Sequence, residues 1–360
     1  MKYSVNENNG KFAYLQIYEQ IKRDIVNGAL TFGSKLPSKR LMVEETGASV
    51  ITVEHAYSIL CDEGYIEAKE RSGYFVIYRE SDFITNAETQ YEQAYIPEIH
   101  QKVDCDFPFS VLQKTVRKVL SDKGSDILKR SPAGGFEELR SAIARYLYRS
   151  NGIDVNPKQI IIGAGAEYLY GLIVQLLGKD REYALENPSY EKILKVYTAN
   201  SVKTDMLSLG RNGIKTSELN KTAATVLHIT PFNSFPSGIT ASVSKRQEYL
   251  KWAQKRDGFI IEDNYSAELT VSKKNEDTVF SLCNNGRVIY LNTFSETIAP
   301  SMRIGYMVLP EGLLEDFNEK LGFYSCTVST LDQFVLTELI ESGNFERHIN
   351  RVRRAKRKLK

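Results

Sequence analysis

Apolar residues near the start of the chain fall into short runs with helical spacing. Leu15, Tyr18, Ile21 and Ile25 share one face of a helix predicted over 14–26, which Asn27-Gly28 stops. A second short helix is predicted over 39–46, closed by Gly47. Ser49 then stands where an N-cap belongs and opens a third helix through Val53, Ala56, Tyr57 and Leu60, ending at Gly64. Residues 65–68 and 74–78 flank the polar turn Lys69-Glu70-Arg71-Ser72-Gly73 and read as a hairpin. Three helices followed by a two-stranded wing predict a winged helix-turn-helix over residues 1–80.

Residues 81–103 are polar and irregular, which predicts a linker. From about residue 104 the pattern changes. Apolar runs at 160–163, 183–186, 226–230, 258–262 and 288–291 alternate with helical patterns, which predicts a mostly parallel sheet covered by helices on both faces. In such sheets the loops at strand ends bind ligands.

Composition adds limits. The chain has 360 residues, 42% hydrophobic and 26% charged, enough for one large domain beside a small one. No apolar run approaches the roughly 20 residues that span a bilayer, and the first residues lack the apolar core of a signal peptide, so a soluble cytoplasmic protein without membrane contact is expected. Cys61, Cys105, Cys283 and Cys326 are far apart and form no metal-binding pairs, so reduced thiols and no metal site are expected. The formal charge of +2 conceals a basic end. Seven Lys/Arg lie in residues 351–360, leaving 40 bases against 45 acids before them, a balance of −5. That run reads as one solvated face of a helix.

Several separated motifs then agree. Leu36-Pro37-Ser38-Lys39-Arg40-Leu41, Ala48-Ser49 with Thr52-Val53, Glu63-Gly64-Tyr65-Ile66 and Ser72-Gly73-Tyr74-Phe75-Val76 resemble the GntR-type DNA-binding domain. The resemblance implies a double-stranded DNA operator, with Lys39 and Arg40 approaching from the second helix. Ser49 and Thr52 would lie near the start of the recognition helix, and Arg71 in the wing. Val50 departs from the family, which commonly has arginine there. Residues 11–80 hold nine Lys/Arg against ten Asp/Glu, and the third helix holds no Lys or Arg, so weaker or more narrowly distributed DNA binding is expected. A winged helix kept only for protein contacts is the alternative.

Ser131-Pro132-Ala133-Gly134-Gly135, Gly163-Ala164-Gly165-Ala166, Glu186-Asn187-Pro188-Ser189-Tyr190, Thr230-Pro231 with Pro236-Ser237-Gly238, and Glu262-Asp263-Asn264-Tyr265 resemble the fold-type I aminotransferases. So does the segment from Thr293 to Gly305. Behind a GntR head this is the architecture of MocR-type transcriptional regulators. The resemblance implies a fold-type I pyridoxal-phosphate-dependent transferase-like domain over 104–360, serving effector binding and dimerisation. In it Asp263 would pair with the pyridine nitrogen of pyridoxal 5′-phosphate and Tyr265 with the ring hydroxyl. Gly165, Ala166, Ser295 and Arg303 would hold the phosphate, and Tyr190 would line the ligand side.

Glu296 stands where the family has the lysine that forms the Schiff base, and Asn233-Ser234 replace a His-Gln pair. The chain ends before the family's small C-terminal subdomain, so no residue is assigned to gripping a substrate carboxylate. A carboxylate cannot form an imine, so no catalytic residue is assigned and pyridoxal phosphate is expected to bind non-covalently at most. The reading is a homodimeric DNA-binding regulator that senses pyridoxal phosphate or an amino-acid-like effector. Its alternatives are a regulator whose body is only a dimerisation platform and, more remotely, an active aminotransferase.

Overall fold

A computed structural model of the chain describes residues 3–6, 10–70, 72–79, 107–265, 267–269, 277–284 and 286–358. The expected linker at 81–103, the wing residue Arg71 and Cys105 lie outside the described residues. Two compact units, Met1–His100 and Gln101–Lys360, make up the chain.

In the first unit α1 (Ala13–Val26), α2 (Lys39–Thr46) and α3 (Val50–Asp62) precede a hairpin of β1 (Ile66–Lys69) and β2 (Gly73–Val76). Of the faces expected from periodicity, Tyr18, Ile21, Ile25, Val53, Ala56, Tyr57 and Leu60 lie in one core, joined by Ile17, Met42, Ile66 and Val76, whereas Leu15 is only half-buried at its edge. The turn between α2 and α3 is set by local chemistry. Gly47 takes a left-handed φ of 70° that ends α2, and Ser49 caps α3 by accepting the Thr52 amide at 3.1 Å. The strands pair antiparallel with Ile66 opposite Val76. This is the winged helix-turn-helix.

The second unit opens with α4 (Phe109–Lys123) and α5 (Glu137–Asn151). It continues through β3 (Ile160–Gly163), α6 (Ala166–Leu177), β4 (Glu182–Asn187), α7 (Glu191–Ala199), β5 (Lys203–Gly210), β6 (Gly213–Ile214) and α8 (Thr216–Lys221). Then come β7 (Val226–Ile229), α9 (Val243–Lys255), β8 (Phe259–Asp263), β9 (Val288–Thr293), β10 (Gly305–Val308), α10 (Leu314–Leu321), α11 (Thr330–Glu341) and α12 (Asn344–Lys358). The strands form one eight-stranded sheet in the order β3-β10-β9-β8-β7-β4-β5-β6. Neighbours from β9 to β5 run parallel, whereas β10 is antiparallel to both β9 and β3.

Alternation of side chains across the pleat gives the sheet two apolar faces. Ile161, Leu185, Ile261, Leu291 and Met307 pack under α6, α7 and α10, with Leu169, Tyr197 and Phe317. Ile160, Ile162, Tyr290 and Val308 pack on the other face against α5 and α11. On that same face Leu227, Ile229, Ile260 and Val288 meet Tyr249 and Trp252 of α9. The basic run ends α12 as an exposed helical stretch over 354–358. No helix among the described residues is long and apolar enough to cross a membrane.

Candidate functional site

Because β3, β4, β7, β8 and β9 point the same way, the segments after them gather at one edge of the sheet. There they surround a cavity of about 530 Å³. Ala166, Tyr190, Asp263, Tyr265, Ser295 and Arg303 all line it. Gly165, the remaining expected cofactor residue, sits just behind as the N-cap of α6. Its φ is +88°, and a Cβ placed there would lie 2.8 Å from Nη2 of Arg303, so the glycine lets the guanidinium lie against the turn.

Asp263 ends β8 and is buried. Its Oδ1 accepts the Tyr265 amide at 3.1 Å, and its Oδ2 accepts the Tyr170 hydroxyl. Burial, and then the Asp263 charge, push the Tyr170 phenol well above its ordinary range, so it stays a donor. His228 Nε2 lies 3.7 Å from Asp263 Oδ2, too far for a hydrogen bond, while Nδ1 is 2.7 Å from the Tyr197 hydroxyl. That Nε2 has no hydrogen-bond partner among the described residues.

At the other end no side chain caps α6, so its first amides face the turn open to an anion. The anion already present is Glu167. Its carboxylate accepts from Arg303 and, at 3.2 Å, from Lys192. Burial raises the Glu167 pKa, but hydrogen bonds from Arg303, its own amide and Lys192 outweigh this and hold it below the usual range. Arg303 therefore pairs with Glu167 and not with Glu296. One wall is aromatic: the Tyr190 and Phe235 rings meet edge-on at 6.1 Å.

Glu296 lies on the turn after β9, exposed and lining the cavity. Its carboxylate makes no hydrogen bond or ion pair among the described residues. Ser234, of the altered pair, instead donates to Glu186 Oε2 at 2.6 Å. Burial pushes that Glu186 carboxyl up to about 7, against the pull of hydrogen bonds from Ser234 and the Thr230 backbone.

In the first unit Ser49 is spent on capping α3, its Oγ also 2.8 Å from the Thr52 hydroxyl. The Arg40 side chain is 92% exposed and only loosely paired with Glu44 at 3.8 Å. Lys39 is committed to Glu54 and lies 5.6 Å from the Tyr74 ring. The start of α3 presents apolar groups instead: Val50 is 54% exposed and Ile51 78%.

The family model for bacterial regulatory proteins of the gntR family matches residues 13–76, and that for aminotransferase class I and II matches residues 105–360. The chain is 35% identical to the HTH-type transcriptional regulator YdeL of Bacillus subtilis over 355 residues, spanning 96% of this chain and 77% of that relative. The chain belongs to the GntR-type regulators that carry an aminotransferase domain. This MocR-type regulator is also 26% identical, over 94% of its length and 75% of the relative's, to the pyridoxine biosynthesis regulator PdxR of Corynebacterium glutamicum. Among solved structures a kynurenine aminotransferase of Pyrococcus horikoshii matches with a TM-score of 0.62 at 26% identity. The match covers 69% of this chain and 64% of that one.

The residues of the regulator's cavity suit a phosphopyridine. A buried carboxylate with fixed donors faces one end, and the Arg303 guanidinium, shared with Glu167 at the uncapped start of α6, faces the other, with a hydroxyl at Ser295. Sequence reasoning missed Glu167, Lys192, Tyr170, His228 and Phe235, all close to this arrangement. Two carried a signal. Glu167 is an acid in the first turn of a helix whose uncapped start attracts anions, and His228 is a lone imidazole in the apolar run of β7.

Proposed function

We propose that the aminotransferase-like domain of this transcriptional regulator is a sensor. It holds a phosphopyridine of the pyridoxal 5′-phosphate class without covalent attachment, and occupancy changes the affinity of the winged helix for operator DNA. The observation that supports this most is the gathering of Asp263, Tyr265, Ser295 and Arg303 around one cavity in which an acid, Glu296, replaces the imine-forming amine. When bound, the group would supply an electron-poor ring bearing a reactive 4′ substituent.

The chain's own residues have separable tasks. Asp263, held by Tyr170 and the Tyr265 amide, would keep a proton on the ring nitrogen. Arg303, Ser295 and the amides at Gly165-Ala166 would bind the phosphate. Tyr190 and Phe235 would keep water from one side. Glu296 offers no amine, so the ligand would exchange without a covalent link and this position would not start transamination. The name of PdxR, a regulator of pyridoxine biosynthesis, supports a ligand of this vitamer class. A homodimer on a two-fold operator is the expected working form.

A body that serves only as a dimerisation platform is the second reading, favoured by Glu167 already occupying Arg303 and Lys192. Equilibrium dialysis of pyridoxal 5′-phosphate against the full chain separates them. Saturable binding that Arg303→Ala removes, with a matching shift of operator affinity in a gel-shift titration, is the expected result. Absence of saturable binding would overturn the sensor and leave the platform.

A further inference from the structure

The charges that line the cavity are unevenly matched. Glu167 is satisfied by Arg303 and Lys192, and Asp263 by the Tyr170 hydroxyl and the Tyr265 amide. Glu296 is the lining carboxylate left without a partner among the described residues. The cavity therefore presents one unmatched negative charge.

Lys192 does not supply a replacement amine. It is the lysine lining the cavity among the described residues, its Nζ is 3.2 Å from Glu167, and hydrogen bonds to Tyr190 and then Glu167 raise its pKa. The clamp on Glu167 holds the ammonium form and directs Nζ at that carboxylate, so Lys192 is a poor substitute for a dedicated imine-forming amine. An aldehyde ligand, having no proton to donate, would gain nothing from the Glu296 carboxylate.

A ligand with an aminomethyl group in place of the aldehyde reverses this. Its ammonium would donate to Glu296 and cancel the unmatched charge, a charge-assisted hydrogen bond in a half-enclosed pocket. We propose that the regulator discriminates the amine form of the phosphopyridine, pyridoxamine 5′-phosphate, from the aldehyde form, and that Glu296 determines this specificity. The proposal rests on the cavity being a phosphopyridine site, and it makes the amine-to-aldehyde ratio, rather than total ligand, the quantity sensed.

Isothermal titration calorimetry of the full chain with pyridoxamine, pyridoxal and pyridoxine 5′-phosphates provides the test. The amine is expected to bind about tenfold more tightly than the aldehyde, with the uncharged alcohol between them. Glu296→Gln, a neutral change on an exposed turn, is expected to bring the three affinities together. Glu296→Lys is expected to reverse the order in favour of the aldehyde. Equal or tighter binding of the aldehyde by the unaltered chain, or a preference that survives Glu296→Gln, would overturn the specificity while leaving the phosphopyridine site standing. If none of the three ligands binds, the site itself is refuted and the specificity with it.

Discussion

In the proposed sensor Arg303 is the residue on which anion binding at the turn before α6 would depend, and two neighbours set its availability in opposite directions. Gly165 makes room for the guanidinium, with the backbone at φ +88° and a Cβ position only 2.8 Å from Nη2. Gly165→Ala must strain the backbone and displace the arginine together. The strain costs about 1 kcal/mol, which lowers the melting temperature by about 2–4 °C, and the displacement should weaken phosphopyridine binding by about tenfold. Glu167 acts oppositely, because its carboxylate already holds Arg303 and Lys192. Glu167→Gln should release both cations and tighten binding of inorganic phosphate and phosphopyridines alike. Calorimetry on the two variants decides the matter. If Glu167→Gln weakens phosphate binding, Glu167 is a scaffold for the site and not a competitor.

The recognition helix α3 carries an element-scale expectation, since its exposed start shows Val50 and Ile51 where phosphate contacts would need cations. Glu54, farther along, is tied to Lys39. Val50→Arg adds a cation to this face, so affinity should rise across unrelated DNA sequences. The slope of log affinity against log salt should steepen by about 0.9 if the arginine reaches one phosphate. A gel-shift series in salt measures this, and an unchanged slope would place Val50 away from the backbone. Helix α3 was legible because Ser49, the spacing of Val53, Ala56, Tyr57 and Leu60, and the glycine stop all agree on one element. The buried strands were legible for a related reason: runs such as Ile160-Ile161-Ile162 suit a sheet covered on both faces. Strand order was not, because β10 inserts antiparallel between β3 and β9, and nothing in Gly305-Tyr306-Met307-Val308 specifies its neighbours. The candidate site divides in the same way. Asp263 and Arg303 stand in motifs, whereas the Tyr170 bond to Asp263 and the Glu167 clamp depend on tertiary approach across 93 and 136 residues.

At the scale of the whole molecule, three carboxyls buried at separate points of the second unit link its stability to pH. Burial pushes Glu186, Glu262 and Glu268 each from an ordinary 4.5 up to about 7. It does so against hydrogen bonds from Ser234 to Glu186, from the Val279 and Phe280 amides to Glu262, and from Asn292 to Glu268. Their folded pKa lies above the unfolded one. Between those values the folded chain binds more protons, so stability falls as pH rises through about 4.5 to 7 and the loss is complete above that window. For Glu186 the shift corresponds to a loss on the order of 3 kcal/mol. The carboxylates held low, Glu63, Asp126 and Glu167, act in the other direction. Their contribution is present above their unfolded pKa and is lost as pH falls further. The two sets leave a maximum on the acid side of neutrality. Thermal melts of the full chain should therefore give a higher midpoint at about pH 6 than at about pH 8. Glu186→Gln should make that decline shallower by about a third, because the amide oxygen still accepts from Ser234 while only Glu262 and Glu268 keep a buried proton to lose. A midpoint that rises from pH 6 to pH 8 would show that the three carboxyls are not held protonated at pH 6, and a decline that Glu186→Gln leaves wholly intact would show that Glu186 is already ionised at pH 6 in the folded protein.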